Sequence, residues 1–209
     1  MLTIHRARTV RYTAGGPPHP GHAVAVDGDR ITAAGPYDEV RAACGERARV
    51  RDWDGELAPG RHEPAARAWL EATYHPDPRE ADRLGTAPVT GDAPAALGLT
   101  DADWGASARR GLQRLLAAGT TGLTGPFDRP RVRTAVARSG LRVLPPGAPT
   151  APPPLAPGAR ADFAVHAVET PGTGTPDGPA PGTPAARDAA AIGPCLATVI
   201  AGRLVHRRA

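Results

Sequence analysis

Proline and glycine cut this chain into short pieces. Each supplies 25 of the 209 residues. Proline removes a backbone donor, and glycine loses more freedom on folding than any other residue. Their spacing is uneven, so they mark boundaries. Gly60 to Gly98 carries Pro64, Pro76, Pro78, Pro88 and Pro94 and reads mostly as loop, with a short helix over 65–73. Pro145 to Pro157 reads as an extended linker. Thr170 to Thr183 offers almost nothing to bury and reads as disordered. Folding is thereby confined to the two ends and one stretch between them.

Leu2 to Tyr12 has strand character, and His22 to Val26 is a second strand. Asp27-Gly28 is a two-residue hairpin signal, since both residues tolerate positive φ. Arg30 to Ala34 is the partner strand, Tyr37 to Cys44 a short helix stopped by Gly45, and Ala48 to Trp53 a strand ending in a turn at Asp54-Gly55. A helix begins at Leu99, with Thr100 as N-cap and Asp103 three residues on, and Gly119 ends it. Trp104, Ala108, Leu112, Leu115 and Leu116 fall on one face of it. Strand 120–124, a helix from Asp128 or Pro130 to Gly140 and strand 141–144 follow, the alternation of parallel α/β units. Arg160 to Val168 is a strand, and Leu196–Ile200 with Leu204–Arg207 forms a terminal hairpin.

All 25 basic residues are arginines. Schiff-base, carbamylated-lysine and P-loop lysine chemistry are therefore excluded. The net charge is +4, but arginines alternate with acids and aromatics are few, which argues against nucleic acid as a partner. No apolar run reaches membrane-spanning length, and Met1 to Arg6 lacks the apolar core of a signal peptide. Cys44 and Cys195 lie far apart without metal-ligand spacing and read as reduced thiols of a cytoplasmic protein.

The histidines supply the remaining chemistry. His62-Glu63 has the composition of a base pair or metal fragment. His75 lies close to Asp77 and Glu80, a carboxylate–imidazole pattern. A metal site needs three or four convergent ligands, however, and a polar loop explains both groups. His19 and His22 have no acidic neighbour before Asp27, His166 points opposite to Val165, and His206 sits in an arginine-rich end. Ser107 and Ser139 lack a nucleophile-elbow context, and Cys44 reads as a packing residue. No catalytic, cofactor-binding or metal residue is assigned.

Five segments resemble the amidohydrolase superfamily. Val24-Ala25-Val26-Asp27-Gly28-Asp29-Arg30-Ile31 with Ala34-Gly35-Pro36 resembles its N-terminal hairpin. Asp52-Trp53-Asp54-Gly55 with Leu57-Ala58-Pro59-Gly60 resembles the passage into its barrel. Pro157 to Val165 is similar to the returning strand, and Thr198 to Val205 to the closing hairpin. Arg109 to Thr121 resembles the first barrel helix and second strand. By this resemblance the chain is similar to bacterial imidazolonepropionase-like proteins and aminodeoxyfutalosine deaminases, which hydrolyse non-peptide carbon–nitrogen bonds with a metal-activated water.

The resemblance implies an α+β protein. A small β-sandwich, the composite domain, would use residues 1–59 and 156–209. An incomplete α/β segment, a TIM-barrel remnant, would occupy 60–144, and 145–155 would be the linker. It also implies zinc or iron held by a His-x-His pair at the first barrel strand, where Ala65 and Arg67 stand, neither able to ligate. A closed (β/α)₈ barrel takes about 250 residues, far more than lie between Gly60 and Leu155. The expectation is a non-catalytic amidohydrolase-like protein without cofactor. Its alternatives are a reduced hydrolase assembled around His62–His75 and an interaction remnant whose Leu112, Leu116, Leu123 and Leu141 need a second copy or another protein to cover them.

Overall fold

The computed structural model describes residues 1–168 and 193–208; the tract read as disordered, Thr170 to Thr183, lies outside them. The chain divides into two compact units. Unit 1 comprises Met1–His62, Ala117–Thr121 and the described part of Ala151–Ala209. Unit 2 comprises Glu63–Leu116 and Gly122–Thr150.

Unit 1 is built on β1 (Thr3–Val10), β2 (His19–Pro20), β3 (His22–Asp27), β4 (Arg30–Pro36), α1 (Tyr37–Cys44) and β5 (Arg49–Pro59). From the other end of the chain come β9 (Phe163–His166), β10 (Cys195–Ile200) and β11 (Arg203–Arg207). The family resemblance implies a sandwich. The structure has one eight-stranded sheet in the order β11-β10-β9-β5-β1-β3-β4, with β2 paired to β1. The join between the chain's ends is the antiparallel pair β5–β9, which sets Glu56 opposite His166 and Pro59 opposite Phe163.

That join corrects the turn expected at Asp54-Gly55. The β5 strand runs straight through both residues. A Cβ on Gly55 would lie 2.3 Å from the His166 carbonyl oxygen, so this glycine permits close strand approach. The sheet also closes back on its edge: Ile31 N–H donates to Ala159 O at 2.9 Å, and Gly158 N–H to Ile31 O at 2.8 Å. Edge strand β4 is covered by these bonds. Val10, Val24, Ile31, Leu57, Phe163 and Val199 share one core cluster, each side chain contributing about 1.5–3 kcal/mol by leaving water. On the opposite face Val40 of α1 packs with Ile4, Ala23 and Ala25.

Three further strands, β6 (Arg61–Glu63), β7 (Thr120–Thr124) and β8 (Arg142–Leu144), pair in the order β6-β7-β8. Unit 2 holds a π-helical turn (Ala68–Ala72), α2 (Ala81–Leu84), all but the last residue of α3 (Asp101–Ala117), and α4 (Pro130–Ser139). The α3 start is the capping box expected from sequence. Asp103 Oδ2 accepts from Thr100 N at 2.8 Å, and Thr100 Oγ1 accepts from Asp103 N at 3.3 Å. Parallel β7 and β8 are joined through α4, the crossover a parallel pair requires. Leu112, Leu123 and Leu141 are buried and Leu116 half-buried, so three of the four leucines expected to need a partner are already covered.

Candidate functional site

The β6 strand ends at Glu63, and the two positions where the family resemblance places metal ligands follow directly. Ala65 and Arg67 line a cleft of unit 2 of about 640 Å³, with Ala68, Glu71, Ala72, Asp128 and Arg129. Three of its charges are engaged with one another. Arg67 forms an ion pair with Asp128 and lies 3.5 Å from Glu71. The Glu71 carboxylate, 8% exposed, accepts the Arg129 N–H at 2.7 Å. No side chain caps α4 from its own N-cap residue, Arg129, so Glu71 satisfies a donor at that helix start. The Arg129 guanidinium stacks 4.3 Å over the Trp104 ring. The cleft thus holds the Arg67 guanidinium beside the Glu71 and Asp128 carboxylates, while the Arg129 guanidinium is engaged by Trp104 and Asp101.

The test for zinc or iron fails here on donor chemistry. Alanine offers no donor atom, and a guanidinium stays protonated and repels a cation. Among the described residues no three His, Cys, Asp or Glu side chains converge as a metal site.

His62 and Glu63 are neighbours on β6, and alternation along a strand turns them to opposite faces. The Glu63 carboxylate is buried, accepts Ala65 N–H at 2.8 Å, and is pushed above its ordinary pKa by burial. His75 is a core residue. It is fully buried, its Nε2 donates to the Trp69 carbonyl at 2.9 Å, and its ring meets the Trp69 ring edge-on at 4.6 Å. Its backbone N–H donates to Ser107 Oγ at 2.9 Å, so that hydroxyl serves packing. Burial pulls the His75 pKa down to about 4. Asp77 caps the short turn Pro78–Glu80, accepting from Arg79 N at 3.0 Å, and pairs with Arg110 at 3.1 Å. The carboxylate–imidazole pattern around His75 is therefore structural.

In unit 1, burial lowers His166 to about 4, and its Nδ1 lies 3.3 Å from Gly193 O. His5 carries no chemical signal in the sequence. It is buried, stacks parallel to Trp53, accepts from Trp53 Nε1 at 3.2 Å, and burial lowers it to about 3. Burial raises both Cys44 and Cys195 thiols, which disfavours the thiolate a nucleophile needs. His206 is lowered by burial and then by Arg208. His19 and His22 lie together beside Tyr12. A second groove of unit 2, about 310 Å³ between α3 and α4, is floored by Leu112, Leu116 and Ala135 and rimmed by Arg109, Arg131 and Arg138. Its Ser139 hydroxyl is spent on Val136 O at 2.6 Å.

Residues 23–43 match the imidazolonepropionase-like composite domain of bacteria. The match spans β3, β4 and most of α1, the hairpin on which the family resemblance begins. No curated protein matches the chain. Among solved structures it is similar to the ochratoxinase of A. niger, at 18% identity over 70% of this chain and 31% of that one, with a TM-score of 0.47. A zinc-bound adenosine deaminase of Xanthomonas campestris gives 20% identity over 68% and 33%, with a TM-score of 0.47. The guanine deaminase of Bradyrhizobium japonicum gives 17% over 69% and 34%, with a TM-score of 0.44. The chain spans about a third of the length of these structures. Among the described residues no helix is long and apolar enough to cross a membrane.

Proposed function

We propose that this chain is a cytoplasmic, amidohydrolase-like protein whose composite domain carries a short α/β segment, and that the chain does not itself hydrolyse carbon–nitrogen bonds. The observation that supports this is the cleft after β6. Ala65 and Arg67 stand where the family resemblance puts histidines, and Arg67 is held by Glu71 and Asp128. Metal-assisted hydrolysis requires a metal with an open position for water, and that cleft offers no ligand set for one. The reduced-hydrolase alternative around His62–His75 is disfavoured, because the His75 imidazole is enclosed and bonded to the Trp69 carbonyl. The experiment is a turnover assay on the purified chain with cyclic amidines and imidazolones, with added zinc or ferrous iron. No product above the buffer rate is expected; enzyme-dependent ring opening or ammonia release overturns the reading.

A role in assembly is favoured by β8. It is the outer strand of its sheet, and its Val143 is 45% exposed. An open strand edge with an apolar side chain is a template for a further strand, from a second copy or another protein. Light scattering behind size exclusion tests self-association: oligomer is expected for the native chain and monomer for Val143→Arg, and a monomeric native chain at high micromolar concentration removes the second copy as occupant.

A further inference from the structure

We propose that Tyr12, His19 and His22 of unit 1 form a binding site for a divalent late transition metal, Cu²⁺ above all. The three side chains converge from the end of β1, from β2 and from the start of β3. Tyr12 Oη lies 2.6 Å from His22 Nδ1. The His19 ring centroid lies 5.0 Å from that of Tyr12 and 5.1 Å from that of His22. His19 and His22 are held by backbone pairing: His19 opposite Val10, His22 opposite Pro36. Between them Gly21 takes φ +71°, a left-handed conformation that glycine adopts without steric cost. Its N–H donates to Arg8 O at 3.2 Å, and its carbonyl accepts from Tyr37 N at 3.0 Å.

The spacing suits a metal in place of the proton that Tyr12 and His22 share. Donors 2.6 Å apart, each about 2.0–2.1 Å from one ion, subtend about 80° at it. Two imidazoles bound at that distance have their centroids about 3 Å from the ion and so fall about 4.5–5 Å apart, close to the 5.1 Å between His19 and His22; the phenol ring, bound through its exocyclic oxygen, sits farther out, 5.0 Å from His19 and 5.9 Å from His22. Two imidazole nitrogens and a phenolate oxygen bind Cu²⁺ more tightly than Zn²⁺, following the Irving–Williams order. A bound dication displaces the proton shared by Tyr12 and His22 to solvent. All three side chains are half-buried, leaving the remaining coordination positions open to water. The nearest arginine in sequence, Arg11, is neutralised by Glu56 at 2.6 Å.

The test is titration of tag-free, chelator-washed full chain with CuSO₄ near neutral pH, followed by calorimetry and visible absorption, with ZnSO₄ in parallel. One equivalent of Cu²⁺ is expected, with a phenolate-to-copper charge-transfer band. Tyr12→Phe is expected to abolish the band. His19→Gln and His22→Gln are each expected to lower affinity by about tenfold or more, and His206→Gln to leave it unchanged; circular dichroism checks that each variant is folded. Absence of stoichiometric binding overturns the proposal, as does binding that survives both His19→Gln and His22→Gln or a band that survives Tyr12→Phe. The turnover assay above uses a different cleft and different residues, so either result stands without the other.

Discussion

Gly111 lies inside α3, where glycine is the poorest ordinary helix former, and an alanine there ought to stabilise by about 1 kcal/mol. The structure predicts the opposite. A Cβ at 111 would lie 2.7 Å from Nε2 and 2.8 Å from Cδ2 of His75, and 3.0 Å from Leu70 Cδ2. His75 is fully buried, and moving it breaks the 2.9 Å bond from Nε2 to the Trp69 carbonyl. Trp69 is tied in turn to the Gly111 carbonyl through its indole N–H at 3.2 Å. Overpacking of this kind costs about 1–3 kcal/mol, and a lost buried hydrogen bond about 1 kcal/mol more. Against the propensity gain, Gly111→Ala should destabilise by about 1–3 kcal/mol. Urea unfolding followed by tryptophan fluorescence reads this out; with a slope of about 1–3 kcal/mol/M the midpoint falls by about 1 M. The decisive variant is Gly111→Ala in a His75→Ala background. With the imidazole gone the same alanine should be neutral or stabilising, and the double-mutant cycle should show coupling of about 2 kcal/mol. A raised midpoint for Gly111→Ala in the native background, or zero coupling, refutes the packing argument.

Other substitutions probe the same logic elsewhere. Gly55→Ala drives a methyl into the His166 carbonyl and should unpair β9 from β5, seen as fast amide exchange at Val165. Unchanged protection there would show that the strand accommodates a side chain. Glu71→Ala removes the acceptor at the start of α4 and should cost about 1 kcal/mol; Glu71→Gln should retain most of it, and equal midpoints for alanine and native would dismiss the cap. His5, His75 and His166 are held neutral in the fold, with pKa values near 3, 4 and 4, against an ordinary 6.5. Unfolding therefore takes up protons as pH falls below 6.5, so stability present above 6.5 is lost progressively toward pH 4. Urea midpoints that stay level from pH 7.5 to 5 would contradict the burial of these rings.

Elements governed by local chemistry were legible in the sequence. Thr100 and Asp103 announce α3 because both halves of a capping box lie three residues apart. The β3–β4 hairpin, with Gly28 at φ +60°, follows from a turn signal between alternating segments. What depends on distant residues was not legible. Asp54-Gly55 reads as a turn until β9, over a hundred residues later, supplies the strand that needs a glycine opposite it. His75 reads as a polar loop residue, because nothing nearby reveals that Gly111 leaves the space for it. His19 and His22 read as lone histidines for want of an acidic neighbour, because the phenol beside them, Tyr12, lies seven residues upstream of His19, across a turn. The alanine and arginine after β6 were legible at once, since a missing donor needs no structure to be missing.

The β5–β9 pairing bears on how such a chain changes length over evolutionary time. Pro59 and Phe163 sit side by side in the sheet, so the residues between them form an excursion that leaves the sheet and returns to it; of these, 117–121 and the stretch from Leu155 to Ala161 belong to unit 1 itself. The entropic cost of closing a flexible excursion grows with the logarithm of its length, about 0.6 kcal/mol for each doubling. Inserted units can therefore be added or lost there at small expense to the sheet, whereas trimming either tip of the chain removes a strand outright.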